Sequence, residues 1–291
     1  MKSHAITFAL HRAIGLSAGA LLLVIGITGS ALVFQEPLNR QLYPHLYSPS
    51  LQSAVSLDRV MAAARTYHSD SEPTAIRVGE GHVYSVGFET AEGQHLEVFV
   101  DPVAYRVRGS RVWEHSPVGV LYRLHYQLLL GETGSWITGI TALLLVGLGI
   151  TGVALWPGWK KWRVGVTLRW RSRPHIVAFD LHKLSGILTA MFLVLLGATG
   201  AAFMFYDPFQ TAIYVLTGTQ HPRDIVSTPS RGQTALALDA LVVKAGPVMA
   251  GARLTGLSLP SKPEGVVRVR AEFSGEGPAS RRLRIDMDPY S

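Results

Sequence analysis

Residues 10–34 read LHRAIGLSAGALLLVIGITGSALVF, and residues 181–205 read LHKLSGILTAMFLVLLGATGAAFMF. The two stretches share one register. His11 and His182 each stand four residues before a glycine (Gly15, Gly186) and 17 before a Thr-Gly pair (Thr28-Gly29, Thr199-Gly200). A third apolar run lies between them, and Ile14–Phe34, Trp136–Trp156 and Leu184–Phe205 contain no charged residue. Each exceeds the roughly 20 residues needed to cross a bilayer. The chain is therefore expected to be an α-helical membrane protein, with the lipid bilayer as its first partner. The first run is longer than a signal-peptide core of about 7–15 residues and no A-x-A cleavage site follows, so it should stay attached as an anchor.

Basic residues on short loops set the orientation. The connection Pro157–Leu181 holds Lys160, Lys161, Arg163, Arg169, Arg171 and Arg173 against one acid, Asp180. The segment Gln35–Ser135 holds eight Arg, no Lys and eleven acids. The short loop and the N-terminus are expected to be cytoplasmic, and residues 35–135 and 206–291 outside. The net charge of +7 follows from this border of basic residues and calls for no nucleic-acid partner. There is no cysteine, which excludes disulfides, Cys-ligated Fe–S clusters and covalent haem attachment. Trp136, Trp156, Trp159 and Trp162 have the placing of an interfacial aromatic belt.

Both outer segments read as small α+β units. In the first, Leu57, Val60, Met61 and Ala64 predict a helix over Leu57–His68 with Ser56 as its cap. Alternating runs at Ala75–Val78, Val83–Phe88 and Leu96–Val100 then predict antiparallel strands, the last ending in Asp101-Pro102. The tail repeats the order: a helix at Ala235–Lys244, strands at Leu254–Leu259, Val266–Phe273 and Leu283–Met287, and Asp288-Pro289. The predicted organisation is 1–35 N-terminal end and first span, 36–132 first outer domain, 133–157 second span, 158–181 basic loop, 182–206 third span, and 207–291 second outer domain. The repeat also predicts a further helix after Ser291.

Taken together, LHRAIGLSAG…TGSALVF, LHYQLLLGETG…GITGVALW, LHKLSGILTA…GATGAAFMF and the strand-ending turns in LEVFVDPVAY and LRIDMDPYS resemble the PepSY-associated transmembrane family. That family includes iron-regulated inner-membrane proteins and ferric-siderophore reductases, and it continues past the second turn into another His-bearing helix. The resemblance covers essentially the whole chain. It implies a bacterial inner-membrane location, two PepSY-like periplasmic domains, haem b as cofactor and a ferric siderophore as substrate. The electron donor is left open between quinol and a cytoplasmic reductant.

The residues themselves support a haem. First and third spans run in the same direction, so His11 and His182 fall at the same membrane face, and their Thr-Gly pairs lie roughly 25 Å further along. Two neutral imidazoles from neighbouring helices make a low-spin b-type centre suited to electron transfer. Gly15 and Gly186 would leave room for a porphyrin plane, and Arg12 and Lys183 would meet its propionates. The opposing interpretation puts each His simply in the headgroup region, and gives Gly15, Gly19 and Gly26 only a helix-packing role. The resemblance makes His125, before the second span, a ligand to a second, outer haem whose partner lies on the fourth helix. Without that partner, one haem, or one plus a weakly bound and solvent-accessible second, is expected. His175 reads as a basic-loop residue. His45, His68, His82, His95, His115 and His221 read as surface residues, and His4 as terminal.

Two rivals remain at this level: a membrane-anchored PepSY module that binds a partner without redox chemistry, and a transport accessory subunit. No nucleotide-binding glycine pattern, H-E-x-x-H motif or Ser/His/Asp signature occurs, and no acid lies within a span to mark proton-coupled transport.

Overall fold

A computed structural model describes residues 2–47, 55–79, 83–220, 225–227, 234–273 and 282–291. The first half of the chain supplies α1 (Lys2–Leu32), α2 (Gln35–Leu42), α3 (Leu57–Tyr67), β1 (Pro73–Val78), β2 (Tyr84–Glu89), β3 (His95–Val100) and β4 (Val107–Val112). Next come α4 (Pro117–Gln127), α5 (Gly131–Leu155), α6 (Trp162–Val166), α7 (Pro174–Met204) and α8 (Tyr206–Thr217). The tail adds α9 (Leu238–Ala245), β5 (Ala252–Ser258), β6 (Val267–Phe273) and β7 (Arg282–Met287). The chain divides into a helical unit, residues 1–33 and 120–221, and a sheet unit, residues 34–119 and 222–291. Residues 120–132 and 207–221, expected in the outer domains, thus belong to the helical unit.

In the helical unit α1, α5 and α7 are long and apolar enough to cross a membrane. Helix α5 packs against both others, and small residues set the contacts, as they do where lipid removes the hydrophobic drive between helices. A Cβ at Gly197 would lie 2.8 Å from Ala142 O, and one at Gly139 would lie 2.6 Å from Phe205 Cζ. Gly15 faces Leu148 and Gly147 faces Ile14. These pairings run antiparallel on both sides of α5, so α1 and α7 are parallel. Neither helix starts at its histidine. Helix α1 begins at Lys2, with no proline or glycine to break it before Gly15, and α7 begins at Pro174, a favoured first-turn residue. His11 and His182 consequently sit about 12–14 Å along their helices. The break before α5 falls at Leu128 and Leu129, both left-handed (φ 48° and 59°).

The sheet unit departs from the expectation of two separate domains. Among the described residues its seven strands form one antiparallel sheet in the order β4-β3-β2-β1-β5-β6-β7. Strands β1 and β5 join the halves through Ala75↔Ser258, Ile76↔Leu257 and Arg77↔Gly256. Only glycine fits at position 256, where a Cβ would meet Ile76 O at 2.5 Å. Pairing the two halves removes an exposed edge from each and lets α3 and α9 share one core. Val60, Ala64, Leu241 and Ala245 pack with Ile76, Val86, Phe88, Val98, Leu257 and Val269.

The join carries a two-fold signature. Asp58 accepts from Leu238 N (2.9 Å) and Asp239 N (3.0 Å) in the first turn of α9. Asp239 in turn accepts from Leu57 N (2.6 Å) and from the Ser56 hydroxyl at the start of α3. Each helix thus satisfies N–H groups that the other cannot satisfy internally. The two Asp-Pro turns match as well. Asp101 Oδ1 accepts from Val103 N and Ala104 N, and Asp288 Oδ1 accepts from Tyr290 N and Ser227 Oγ.

Candidate functional site

His11 lies on α1 against the far end of α5. Its Nδ1 is 2.9 Å from Thr151 Oγ1. The single hydroxyl proton of Thr151 is directed back along α5, 2.6 Å from Gly147 O and 3.2 Å from Leu148 O. The threonine oxygen must therefore accept, and His11 donates through Nδ1–H, leaving the Nε2 lone pair unoccupied. Gly152 completes the seat, since a Cβ there would lie 3.3 Å from His11 Cε1. On the other side stands His182 of α7. The two ring centroids are 6.1 Å apart and the rings are inclined at 63°. Parallel helices in matched register thus bring these two imidazoles together. The His182 ring makes no hydrogen bond among the described residues.

The other residues expected at this site have different surroundings. A Cβ at Gly15 would make an ordinary 3.8 Å contact with Leu148, and one at Gly186 would meet nothing within 4 Å. The glycine that makes room for an imidazole is Gly152. Arg12 is exposed and makes no ion pair among the described residues. Lys183 was expected at a propionate, but its ammonium has no donor to spare. Its three N–H groups go to Val164 O (2.7 Å), Thr167 O (3.0 Å) and Asp180 Oδ1 (3.1 Å). Asp180 is fully buried and also holds Arg169, whose Nε and Nη2 donate at 2.8 and 3.0 Å. Lys183 is thus part of a clasp that ties the basic loop to α7. A buried ammonium beside a buried carboxylate is held there by the cost of leaving either charge alone.

His125, on α4, has a seat of the same kind at the opposite end of α1. Its Nδ1 lies 2.9 Å from Ile25 O and 3.2 Å from Thr28 Oγ1. A carbonyl can only accept, so Nδ1 carries the proton and Nε2 is again free. Thr28 donates to Val24 O at 2.7 Å, and a Cβ at Gly29 would lie 2.6 Å from His125 Cε1. No second imidazole faces His125 among the described residues.

The remaining histidines are scattered. His95 pairs with Glu114, His68 Nε2 lies 3.1 Å from Ser71 Oγ, His115 neighbours Gln94, and His45 lies near Tyr43. His4 and His175 are exposed, and His82 and His221 lie outside the described residues. Among the described residues no three His, Asp or Glu side chains gather as a metal cage.

The profile of the PepSY-associated TM region matches residues 8–274, from the second turn of α1 to the end of β6. The chain belongs to that family. No curated protein matches it. As a member of the PepSY-associated TM region family, the protein is a multi-pass membrane protein with a separate antiparallel sheet. Strands β1 to β6 and both matched histidines fall within the family's span, and β7 lies beyond it.

Thr151, Gly152 and Thr28 as partners of the histidines, and Asp180 as the partner of Lys183, carry the local geometry and are not evident from the sequence alone. One signal for them was present. The second span contains three Thr-Gly pairs, and because that helix runs the opposite way the last of them, in GITGVALW, falls beside His11.

Proposed function

We propose that this protein is an inner-membrane electron-transfer protein that holds haem b between His11 and His182 and reduces ferric siderophores at the outer face. The observation that carries this reading is the imidazole pair. Two rings sharing one metal stand about 6 Å apart, from a metal–nitrogen bond of about 2.0 Å and a ring radius of about 1.1 Å. The rings of His11 and His182 are 6.1 Å apart, so donor type and spacing both fit. When bound, a bis-imidazole haem supplies one-electron transfer at low reorganisation cost.

This chain's own residues do the rest. Thr151 orients His11, α5 spaces the two ligand helices, and exposed Arg12 is the cation left for a carboxylate of the cofactor. His125 is the candidate ligand for a second haem at the outer side. The basic loop faces the cytoplasm, as the positive-inside rule requires, and quinol or a cytoplasmic reductant supplies electrons. Each electron converts one chelated Fe(III) to Fe(II), which hard oxygen ligands hold far more weakly.

The test is reconstitution of the purified protein in lipid vesicles with haem and a quinol, with a ferric hydroxamate outside. Wild-type vesicles should show a reduced-minus-oxidised b-type spectrum and form Fe(II), trapped by a ferrous chelator. His11→Ala and His182→Ala should lose the part of that spectrum that belongs to the shared centre, and with it the Fe(II). Wild-type vesicles that bind no haem would sink the proposal; haem without iron reduction would leave electron transfer and remove the siderophore.

A further inference from the structure

Two of the six Thr-Gly pairs in the helical unit, Thr151-Gly152 and Thr28-Gly29, hold a histidine of a neighbouring helix, and they do it in a similar way at opposite ends of α1. At Thr151-Gly152 the hydroxyl accepts from His11 Nδ1 at 2.9 Å, and the missing Cβ leaves 3.3 Å to His11 Cε1. At Thr28-Gly29 the hydroxyl stands 3.2 Å from His125 Nδ1, Ile25 O accepts at 2.9 Å, and the missing Cβ leaves 2.6 Å to His125 Cε1. In each case the threonine spends its own proton on a carbonyl one turn back. An α-helix turns such a pair into a defined shape. The hydroxyl caps one ring nitrogen and the adjacent glycine lets the ring edge lie against the backbone. The other four, Thr133-Gly134, Thr138-Gly139, Thr199-Gly200 and Thr217-Gly218, hold no histidine among the described residues; a Cβ would face Gln127 O at Gly134, Phe205 at Gly139 and Ala142 at Gly200.

We infer that Thr151-Gly152 and Thr28-Gly29 are histidine sockets that lock His11 and His125 as Nδ1–H tautomers and so present Nε2 outward as a lone pair. Thr151 and Thr28 are then positioning residues. They do not touch a ligand of the imidazole; Thr151 decides which nitrogen of His11 is free to bind one and where it points, and Thr28 supports Ile25 O in doing so for His125. Among the described residues His182 has no such partner, so it is the adaptable member of its pair and His11 the fixed one. The tautomer lock stands without any cofactor; only its consequence for affinity rests on the haem reading above. Partners of a metal-bound imidazole's second nitrogen typically change metal affinity 10- to 100-fold, because they remove rotational freedom and raise the basicity of the free nitrogen.

The experiment uses the full chain in detergent, without haem, with 15N-labelled histidine, and reads tautomers from two-bond 1H–15N correlations. His11 and His125 should each give the Nδ1–H pattern, and His182 an averaged one. Thr151→Val, which keeps the shape and removes the hydroxyl, should average the His11 signal and leave His125 alone. Thr28→Val should leave His11 alone and weaken the lock at His125, where Ile25 O still accepts. Thr151→Ser, which restores the hydroxyl, should restore the His11 pattern and shows that the valine variant's loss is not misfolding. On titration with haem, Thr151→Val should bind about 10- to 100-fold more weakly, with a midpoint potential shifted positive, and the serine variant should recover both. An Nε2–H pattern at His11 in the wild type, or a valine variant indistinguishable from it, overturns the socket. A locked tautomer in a chain that takes up no haem supports the socket and contradicts the haem reading alone.

Discussion

In the sheet unit the two halves of the repeat serve as each other's partners. Asp58 caps α9 while Asp239 caps α3, β1 pairs with β5, and Asp101 and Asp288 close matching turns. In the helical unit the same repeat is set apart by α5 and treated unequally. His11 has a threonine, a glycine and a fixed proton, whereas among the described residues His182 has only the ring opposite it. The cations that follow them differ too: Lys183 is clasped to Asp180, and Arg12 is exposed. Equal sequence gives equal structure only where the partners are also repeated. A single antiparallel helix with a single Thr-Gly pair at that end can seat one of the two histidines.

Substitutions can break this contrast at graded cost. The largest effect should be functional and symmetric despite the structural asymmetry: His11→Ala and His182→Ala should each abolish the shared haem, because one imidazole cannot make the bis-imidazole centre. Next come the reciprocal caps. Asp58→Ala and Asp239→Ala should each destabilise the sheet unit by about 0.5–2 kcal/mol, the usual cost of losing a helix cap, and by similar amounts. Urea unfolding followed by circular dichroism measures it, and strongly unequal losses would show that the two-fold join is not energetically balanced.

Acid should act on the turns in the same paired way. Backbone N–H groups of Ala104 and Val103, with Arg108, hold the Asp101 carboxyl below the usual range. The Tyr290 N–H and the Ser227 hydroxyl do the same for Asp288. A carboxyl whose native value is depressed stabilises the fold above its unfolded pKa of about 3.9 and loses that contribution as pH falls through the lowered native value. Asp101→Asn and Asp288→Asn should therefore lower stability at neutral pH and flatten its fall below about pH 4. An unchanged acid limb in both variants would remove these turns from the account.

The smallest graded effect separates the two seats. Gly29→Ala would put a Cβ 2.6 Å from the His125 ring and must displace it, whereas Gly152→Ala would come only to 3.3 Å from the His11 ring. Alanine at 29 should therefore disturb the His125 tautomer signal fully and alanine at 152 that of His11 only in part. Equal disturbance would mean that the rings are held by their hydrogen bonds alone.

Periodicity and hydropathy made the three spans, the helix beginning at Leu57 and six strands legible, because those signals are local. Strand β4 was not legible. Its Val107-Arg108-Gly109-Ser110-Arg111-Val112 alternates Arg with Gly and Ser rather than with apolar residues, so only its pairing with β3 defines it. Nor was the fused sheet, since which edge pairs with which depends on residues about 180 positions apart. The matched register of His11 and His182 was readable, and so was their common face. Their hydrogen-bond partners were not, because Thr151 meets His11 only once an antiparallel helix has folded back. Lys183 was misread for a related reason: Asp180, three residues earlier, looked like a lone acid in a basic loop, and its burial with Arg169 appears only in three dimensions.

The central claim is that His11 and His182 share one metal. Low-temperature electron paramagnetic resonance of the oxidised, haem-loaded protein tests it most directly. The wild type should give a low-spin bis-imidazole signal, and His11→Ala and His182→Ala should each convert the same signal to high spin or remove it. A low-spin signal that survives intact in either single variant would contradict the shared site.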